Sequence, residues 1–262
     1  MMKIERRLIG DCAVEITGHG PEIVFVHGFT TTAEFWKEQV EPFSENRKVV
    51  RINLPGHGVS PHPVDRHYTI DAFVADVERV LDALEIKTCV LVGLSMGGTI
   101  AQRFTLKNPD RVTTLVLVGA TPHGLGPDVK VDNVLAAIGS VGVAKASQNV
   151  IERSFAACAS ATLVEWAKNE VIQTPDHVAR AAIRSLNDSD SRSELASIAV
   201  PTLVVVGAED AITPPDQSRA LADGIPVSML SVIPDAAHFP MIEQPEAFNA
   251  VLGEFLGRHA SH

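Results

Sequence analysis

The chain has 262 residues, of which 45% are hydrophobic and 21% are charged, a composition typical of a folded protein with one large α/β domain or a domain that carries an insertion. Its 22 basic and 32 acidic side chains give a formal net charge of -10. We recognise no basic cluster among them, which argues against nucleic acid as a partner. The three scattered cysteines are too few for a disulfide framework.

The beginning of the chain lacks the apolar core of a signal peptide, and we recognise no apolar run long enough to span a membrane. We therefore expect a cytoplasmic protein without a membrane partner. The sequence carries no signal for an oligomeric state.

The first part of the chain alternates apolar strands with helices. A turn at Gly10-Asp11 predicts a hairpin, and Thr69 is placed to cap a helix with apolar residues at helical spacing. Strands that are apolar throughout and alternate with helices are typical of a parallel sheet covered on both faces, with reactive groups at the carboxyl ends of the strands. These predicted strands span residues 23–26, 49–54, 89–92 and 115–118.

The alternation stops over residues 121–198, which are rich in alanine and serine and read as helical; Pro175 is predicted at the first position of one of their helices. Strands resume at residues 201–206 and 227–233, and a last helix begins at Pro245. We therefore expect an α/β fold with a mostly parallel central sheet flanked by helices. Its core domain spans residues 1–120 and 199–262, and a helical cap of residues 121–198 is inserted before the last core strands.

A serine between glycines follows the predicted strand at residues 89–92. The run Gly93-Leu94-Ser95-Met96-Gly97 fits G-x-S-x-G, in which a tight turn from strand to helix exposes a nucleophilic serine. Two other glycine motifs are excluded, since a dinucleotide-binding fingerprint needs glycine where Ser95 stands and a phosphate-binding loop needs a lysine. The pattern predicts nucleophilic catalysis by Ser95.

A serine nucleophile needs a base and an acid that orients the base, in the chain order serine, carboxylate, histidine. Glu209 and Asp210 follow one predicted strand, and His238 follows the next. From the residues alone either carboxylate is able to orient His238, whereas Asp235 stands too close to it in sequence to reach the far ring nitrogen.

An oxyanion hole requires two backbone amides. The amide of Met96 is expected at a helix N-terminus beside Ser95, and the loop after the strand at residues 23–26 offers the amide of Phe29. The side chain of His27, in the same loop, is expected to brace it.

Five short segments in predicted loops and turns form a familiar pattern. They are HGF at 27–29 with Trp36 following, LPGHGVS at 54–60, GLSMGG at 93–98, GAEDAITPP at 207–215 and AAHFP at 236–240. With them the chain resembles the α/β-hydrolase superfamily over nearly its whole length. The resemblance implies Ser95 as nucleophile, Asp210 as acid and His238 as base, with a helical cap and no cofactor. Asn53 departs from the aspartate that relatives often carry there, which affects a local loop contact.

Within the superfamily, the chain is most similar to the 3-oxoadipate enol-lactonase-like esterases and lactonases. Haloalkane dehalogenases and epoxide hydrolases resemble this pattern but carry aspartate where this chain has Ser95. The carbon–carbon bond hydrolases that use serine are close relatives, although they usually carry asparagine in place of Leu94.

These features predict an enzyme that cleaves a carboxylic ester or lactone of a small molecule through an acyl-enzyme. One alternative is a carbon–carbon bond hydrolase of a ring-cleavage dienoate or diketone with the same triad. Another, from a different class, is a ligand receptor that keeps the fold and pocket but turns over poorly.

Five residues are candidates for the substrate pocket: His27, Phe29, His123, Trp166 and Phe239. His123 begins the cap, where it either lines the pocket or belongs to a structural turn. Trp166 is the only tryptophan of the cap, and it either touches substrate or packs against the main domain.

A histidine-rich loop is the one candidate metal site. His57, His62 and His67 lie five residues apart with Asp65 among them, and imidazole and carboxylate are metal ligands. Prolines break this stretch, and a serine hydrolase needs no metal, so we expect neither a metal nor a cofactor.

Several cations of the predicted cap are candidates to pair with a substrate carboxylate, and the sequence does not choose among them. They are Lys130, Lys145, Arg153, Lys168, Arg180 and Arg184.

Overall fold

The computed structural model describes residues 4–125 and 129–259. The strands within these ranges are β1 (Glu5–Ile9), β2 (Cys12–Thr17), β3 (Glu22–Val26), β4 (Lys48–Asn53), β5 (Cys89–Leu94), β6 (Val112–Val118), β7 (Thr202–Gly207) and β8 (Ser228–Ile233). They form one sheet in the order β1-β2-β4-β3-β5-β6-β7-β8. Strands β3 to β8 run parallel, and β1 and β2 extend the edge as an antiparallel hairpin. The predicted mostly parallel α/β sheet is confirmed.

Helices connect and cover these strands. They are α1 (Lys37–Ser44), α2 (Ile70–Ala83), α3 (Met96–Lys107), α4 (Val131–Glu152), α5 (Ala161–Val171), α6 (Asp176–Asn187), α7 (Pro215–Gly224), α8 (Pro240–Glu243) and α9 (Pro245–Arg258). Short 3₁₀ helices occur at Ala33–Trp36, Pro109–Arg111 and Leu195–Ser197.

The sheet has a buried hydrophobic layer on each face. Successive residues of a strand point to opposite faces, and in β3 Val24 and Val26 join one cluster whereas Ile23 and Phe25 join the other. Helices α2 and α3 pack on the first face, and α1 and α9 pack on the second. This is why the central strands are apolar throughout.

Two helix starts test the capping predictions. The hydroxyl of Thr69 accepts a hydrogen bond from the Ala72 amide (3.2 Å) at the start of α2, as predicted. The prediction for Pro175 is wrong by one position. Its backbone is extended, and α6 begins at Asp176, so the proline occupies the residue before the first helical one.

Helices α4, α5 and α6 fill the chain between β6 and β7. Helix α4 is long and apolar enough to cross a membrane by length and composition alone, which corrects the expectation that no such run exists. In the fold it is interrupted at Gly142 (φ 77°, ψ 159°) and packs against α5 and α6. The cytoplasmic location stays a prediction.

This helical segment lies between the end of β6 and the start of β7, and its first helix begins at Val131, ten residues after the predicted boundary at residue 121. The division into a core domain and a cap stays a prediction. Residues 1–3, 126–128 and 260–262 of the predicted ranges lie outside the described residues.

His57 is a fully buried histidine in the loop after β4. Its Nδ1 donates to the carbonyl of Pro55 (3.1 Å), its ring lies 4.9 Å from that of His27, and its Nε2 has no hydrogen-bond partner among the described residues. Burial lowers the pKa of His57 from 6.5 to about 4. The imidazole is therefore neutral in the folded protein at neutral pH.

We predict that this burial destabilises the protein in mild acid. In the unfolded state His57 takes up a proton near the ordinary histidine pKa, whereas in the folded state it stays neutral. The contribution of this difference to stability is therefore fully present above the ordinary histidine pKa and is lost as the pH falls toward 4. When the pH is lowered from 7 to 5, the free energy of unfolding should fall in both proteins. The fall should be about 2 kcal/mol smaller in His57→Gln than in the wild type. Urea titrations at both pH values measure this difference. His67→Gln, at an exposed histidine, is the control, and equal losses in the wild type and His57→Gln would contradict the assignment.

Candidate active site

Ser95 occupies a strained turn between β5 and α3. Its backbone has φ 51° and ψ -114°, a conformation that residues other than glycine rarely adopt. A Cβ at Gly93 would overlap the carbonyl of Gly97, and one at Gly97 would overlap the carbonyl of Val26. The Ser95 amide donates to the carbonyl of Val118 (2.8 Å) on the neighbouring strand β6. The two glycines permit this turn, and β6 holds it.

His238 and Asp210 form a buried pair in the loops that follow β8 and β7. The Nδ1 of His238 lies 2.9 Å from Oδ2 of Asp210. Oδ1 of Asp210 accepts from the amides of Ile212 (2.8 Å) and Thr213 (2.9 Å), and Oδ2 accepts from the Thr213 hydroxyl (2.8 Å). A carboxylate here keeps the proton on Nδ1 and leaves Nε2 free to accept one.

The charge state of Asp210 follows from opposing effects. Burial raises the pKa of its carboxyl, but the charge and hydrogen bond of His238 and the donors of Thr213 outweigh burial, so the pKa lies below its ordinary value. Asp210 is therefore an ionised acceptor at neutral pH, able to stabilise an imidazolium at His238.

The two neighbouring carboxylates of this loop have different surroundings. Asp210 is buried against His238, whereas Glu209 is exposed and its Oε2 accepts from the amide of Ala157 (3.1 Å). Of the two, the structure places Asp210 on the histidine, at the position that the resemblance implies. Asp235 makes its hydrogen bonds through its backbone carbonyl, which accepts from Gln244 (2.9 Å) and Cys158 (3.5 Å).

The loop after β3 brings Phe29 to the lining of the cavity that Ser95 also lines. His27 braces this loop: its Nδ1 donates to the carbonyl of Gly28 (2.9 Å), and its Nε2 accepts from the amide of Leu54 (3.0 Å). Burial lowers the pKa of His27 well below its ordinary value, so the ring stays neutral and makes both bonds. Among the hydrogen bonds of the described chain, neither the Phe29 amide nor the Met96 amide has an acceptor.

A cavity of about 410 Å³ brings these groups together. Ser95, Phe29, Met96, His238 and Phe239 all line it, and residues of α4 supply much of its other wall. The Oγ of Ser95 forms no hydrogen bond with any described residue. The hydrogen bond between a nucleophile and its base often forms only when substrate is bound. The arrangement is able to generate an alkoxide at Ser95 and to receive negative charge at two free amides.

Three predicted pocket residues lie outside the lining of this cavity. His27 is enclosed in its own loop. His123 pairs in an isolated β-bridge with Asp190 in a structural turn. Trp166 packs on the core: its ring lies 5.1 Å from that of Phe35, and the ammonium of Lys37 lies 3.8 Å above its centre. Each of the three is held by contacts away from this cavity, and a role for them in substrate binding stays a prediction.

The sequence analysis did not identify two side chains that help to hold His238 in place. Thr213 donates to Asp210 and lies 3.2 Å from Nδ1 of His238. Glu243 accepts from the amides of Ala237 and Phe239 (3.0 Å each), which flank His238, and from the amide of Ala156 (2.8 Å) in the connection between α4 and α5. Burial raises the pKa of the Glu243 carboxyl. The only signal for Glu243 in the sequence was an acidic residue with no assigned role, directly before the Gln244-Pro245 pair at the start of α9.

The candidate metal-binding loop holds its histidines apart. His57 is buried against His27, and the ring of His62 lies 6.1 Å from that of His177. Within residues 4–125 and 129–259, no three His, Cys, Asp or Glu side chains are placed to hold a metal ion.

Comparison with known proteins agrees with this geometry. The sequence profile described as the alpha/beta hydrolase family matches residues 23–251. The chain belongs to the alpha/beta hydrolase family. The resemblance recognised in the sequence is thereby confirmed, as is the α/β-hydrolase fold class.

The relatives of this alpha/beta hydrolase include lactonases and esterases. It is 29% identical to 3-oxoadipate enol-lactonase 2 of Acinetobacter baylyi over 87% of this chain and 86% of the relative. It is 30% identical to 2-hydroxymuconate semialdehyde hydrolase of Pseudomonas sp. over 92% of this chain and 88% of the relative. A thermophilic esterase from Thermogutta terrifontis superimposes with a TM-score of 0.89 at 30% identity, covering 99% of this chain and 100% of the esterase.

The surroundings of the two loop carboxylates predict different costs when each is neutralised. Asp210→Asn should lower kcat by roughly 10⁴, because the amide favours the wrong tautomer of His238 and leaves the imidazolium without a counter-charge. Glu209→Gln should cost about tenfold or less, since the one hydrogen-bond partner of its carboxylate among the described residues is the exposed Ala157 amide. Steady-state kinetics on an aryl ester at neutral pH compare the two, and the reverse ranking would assign the acid to Glu209.

Glu243→Gln is predicted to disturb the placement of His238. The amide replaces one acceptor oxygen with a donor, so at least one of the three backbone amides loses its partner, and we expect kcat to fall by about tenfold with KM little changed. Glu246→Gln, at an exposed acid in the first turn of α9, is the matched control. Unchanged kcat together with a lower Tm would make Glu243 a purely structural residue.

Proposed function

We propose that this alpha/beta hydrolase cleaves a carboxylic ester or lactone of a small molecule through an acyl-enzyme formed on Ser95. One observation carries the proposal. A serine in a strained strand-to-helix turn faces the same cavity as a histidine whose Nδ1 is held by a buried, ionised aspartate.

In the proposed mechanism, His238 is the general base, Asp210 is its orienting acid, and Ser95 is the nucleophile. Nε2 of His238 takes the proton from Oγ of Ser95 as Oγ attacks the substrate carbonyl. The amides of Phe29 and Met96 bind the oxyanion of the tetrahedral intermediate. Protonated His238 then gives its proton to the leaving oxygen, and the acyl-enzyme forms.

Hydrolysis of the acyl-enzyme repeats these steps with water. His238 takes a proton from the water, the resulting hydroxide attacks the acyl carbonyl, and the proton passes to Oγ of Ser95 as the acid leaves. These steps draw only on groups of this chain, and the proposal includes no cofactor.

Substrate choice is proposed to reside in the cap, residues 121–198. Helix α4 places both of its halves on the cavity, with Val134 and Ile138 before Gly142 and Ser147 and Ile151 after it. A lining with so much aliphatic surface favours a substrate with an apolar acyl part. The named lactonase and esterase relatives support an ester or lactone bond as the one that is cleaved.

A carbon–carbon bond hydrolase is the second candidate function, because 2-hydroxymuconate semialdehyde hydrolase is among the relatives. The same serine, histidine and aspartate would serve it. Turnover of a ring-cleavage dienoate faster than that of any ester or lactone would favour this candidate. Labelling of Ser95 with no sustained turnover of any substrate would favour a ligand receptor.

We predict that Ser95 reacts covalently with a fluorophosphonate, because its Oγ faces the cavity beside His238. Ser95→Ala should abolish both labelling and turnover of a panel of aryl esters and aliphatic lactones, while the far-ultraviolet circular dichroism stays unchanged. Mass spectrometry of peptides locates the adduct, and Ser60→Ala, at a buried serine that donates to the Asn53 carbonyl, is the control. An adduct at any other serine, or turnover by the alanine variant, would overturn the proposal.

A further inference from the structure

Thr30 has a backbone conformation that threonine ordinarily avoids. Its φ is 56°, in the left-handed region, where a β-branched residue is a clear outlier. The described residues other than glycine with a positive φ are Thr30, Glu85, Ser95 and Asp235. Glu85 is exposed and follows the end of α2, where left-handed residues are common, whereas Thr30 lies in the loop that carries the Phe29 amide. Strained residues cluster at sites where function requires the strain.

The strain of Thr30 arises in a four-residue turn, residues 28–31. The Thr31 amide donates to the carbonyl of Gly28 (3.3 Å), and the Thr31 hydroxyl accepts from the amide of Gly28 (2.8 Å). Thr30 is the third residue of this turn, and glycine is the usual residue at a third position with positive φ. Because glycine would form the turn without strain, the turn itself does not account for the threonine. The difference between the two residues is the side chain.

The side chain of Thr30 brings a hydroxyl to the cavity beside the nucleophile. Thr30 is 4% exposed and lines this cavity. The hydroxyls of the next two residues are both bonded, since Thr31 donates to the carbonyl of Gly28 (3.0 Å) and Thr32 donates to Glu170 (2.7 Å). The Thr30 hydroxyl forms no hydrogen bond with any residue that the structure describes. A buried hydroxyl without a partner is unfavourable, which indicates that its partner is a group that enters the cavity.

The loop of Thr30 lies directly against the nucleophile. A Cβ added to Gly28 would lie 3.3 Å from the Cβ of Ser95. The next residue, Phe29, carries one of the two amides proposed for the oxyanion hole, and Thr30 follows it in the chain. Since consecutive Cα atoms are only about 3.8 Å apart, an oxygen bound to the Phe29 amide is within the reach of a side chain at position 30.

We propose that the Thr30 hydroxyl is a third donor of the oxyanion hole. The inference rests on the proposed function and adds a side-chain donor to its two backbone amides. As Oγ of Ser95 bonds to the substrate carbonyl carbon, its proton moves to Nε2 of His238 and the carbonyl oxygen becomes the oxyanion. That oxyanion accepts from the Thr30 hydroxyl as well as from the amides of Phe29 and Met96.

This role predicts an effect on the chemical step and not on substrate binding. A hydroxyl donates more strongly to an oxyanion than to a neutral carbonyl. The hydrogen bond of Thr30 is therefore stronger in the transition state than in the bound substrate, and its loss lowers kcat with little change in KM.

Substitutions at Thr30 separate the donor from the shape of the side chain. Thr30→Val keeps the branched shape and the strain but removes the donor, so it should lower kcat on an aryl ester by roughly 10². Thr30→Ser keeps the donor, so its kcat should stay within about threefold of the wild type. Thr113→Val is the matched control, at a half-buried threonine near the start of β6 outside the cavity lining, and it should leave kcat unchanged.

A transition-state analogue tests the donor without turnover. Oγ of Ser95 adds to the carbonyl of hexyl trifluoromethyl ketone, the proton of Oγ passes to His238, and the ketone oxygen becomes an oxyanion. The Ki of this ketone should rise in Thr30→Val by the factor by which kcat/KM falls. The corresponding alcohol forms no oxyanion, so its Ki should be the same in both proteins. An unchanged Ki for the ketone would remove Thr30 from the oxyanion hole.

Glycine at position 30 tests the strain. Thr30→Gly removes the donor and relaxes the backbone, so kcat should fall as in Thr30→Val while the Tm rises by about 2 °C. Glu85→Gly, at an exposed residue with the same φ of 56° outside the cavity lining, should raise the Tm without changing kcat. A lower Tm in Thr30→Gly would contradict the strain. Thr30→Gly also tests the donor should Thr30→Val fail to fold.

The outcomes separate this inference from the proposed function. Wild-type kcat in Thr30→Val, or equal losses in Thr30→Ser and Thr30→Val, overturns the third donor while ester hydrolysis by Ser95 stands. A higher KM with unchanged kcat assigns Thr30 to substrate binding and likewise overturns the inference. A wild-type protein that neither reacts with a fluorophosphonate nor hydrolyses any ester or lactone overturns the proposed function itself.

Discussion

The turn from β5 to α3 is the constraint around which the site is arranged. Gly93 and Gly97 let three backbone segments meet where any side chain would overlap a carbonyl, and Ser95 is held there in a conformation that only its surroundings make stable. The neighbouring strands are fixed in register with β5, so the ends of β7 and β8 deliver their loops to the same edge of the sheet. Chain positions more than a hundred residues apart thus meet at one cavity.

The strands of the parallel sheet and the elbow could be predicted because they depend on local rules. An apolar strand followed by Gly-x-Ser-x-Gly specifies a turn whatever surrounds it, and the loops after later strands must reach the same edge of a parallel sheet. The choice between Glu209 and Asp210 was different. The residues alone left it open, the resemblance selected Asp210, and the structure shows the physical difference in the burial of one carboxylate and the exposure of the other.

The pocket could not be predicted in the same way, since it is formed by packing between helices. Trp166 faces Phe35 and Lys37, and nothing in its own segment distinguishes that face from one turned toward substrate. Glu243 escaped notice for a related reason. Its carboxylate oxygens accept hydrogen bonds from three backbone amides, and a backbone amide does not depend on the type of residue that carries it. Contacts made to the backbone leave no pattern in the residue types of the partner segment.

The same backbone contacts govern how this chain could exchange parts with its relatives. Glu243 and the carbonyl of Ser154 join the loop of His238 to the stretch between α4 and α5 through main-chain groups. A graft that replaces residues 131–152 leaves this junction within the recipient, whereas a graft that ends beyond Ala156 must bring an equivalent bend with it. The seam for recombination between family members therefore lies just after α4, inside the helical segment and not at its end.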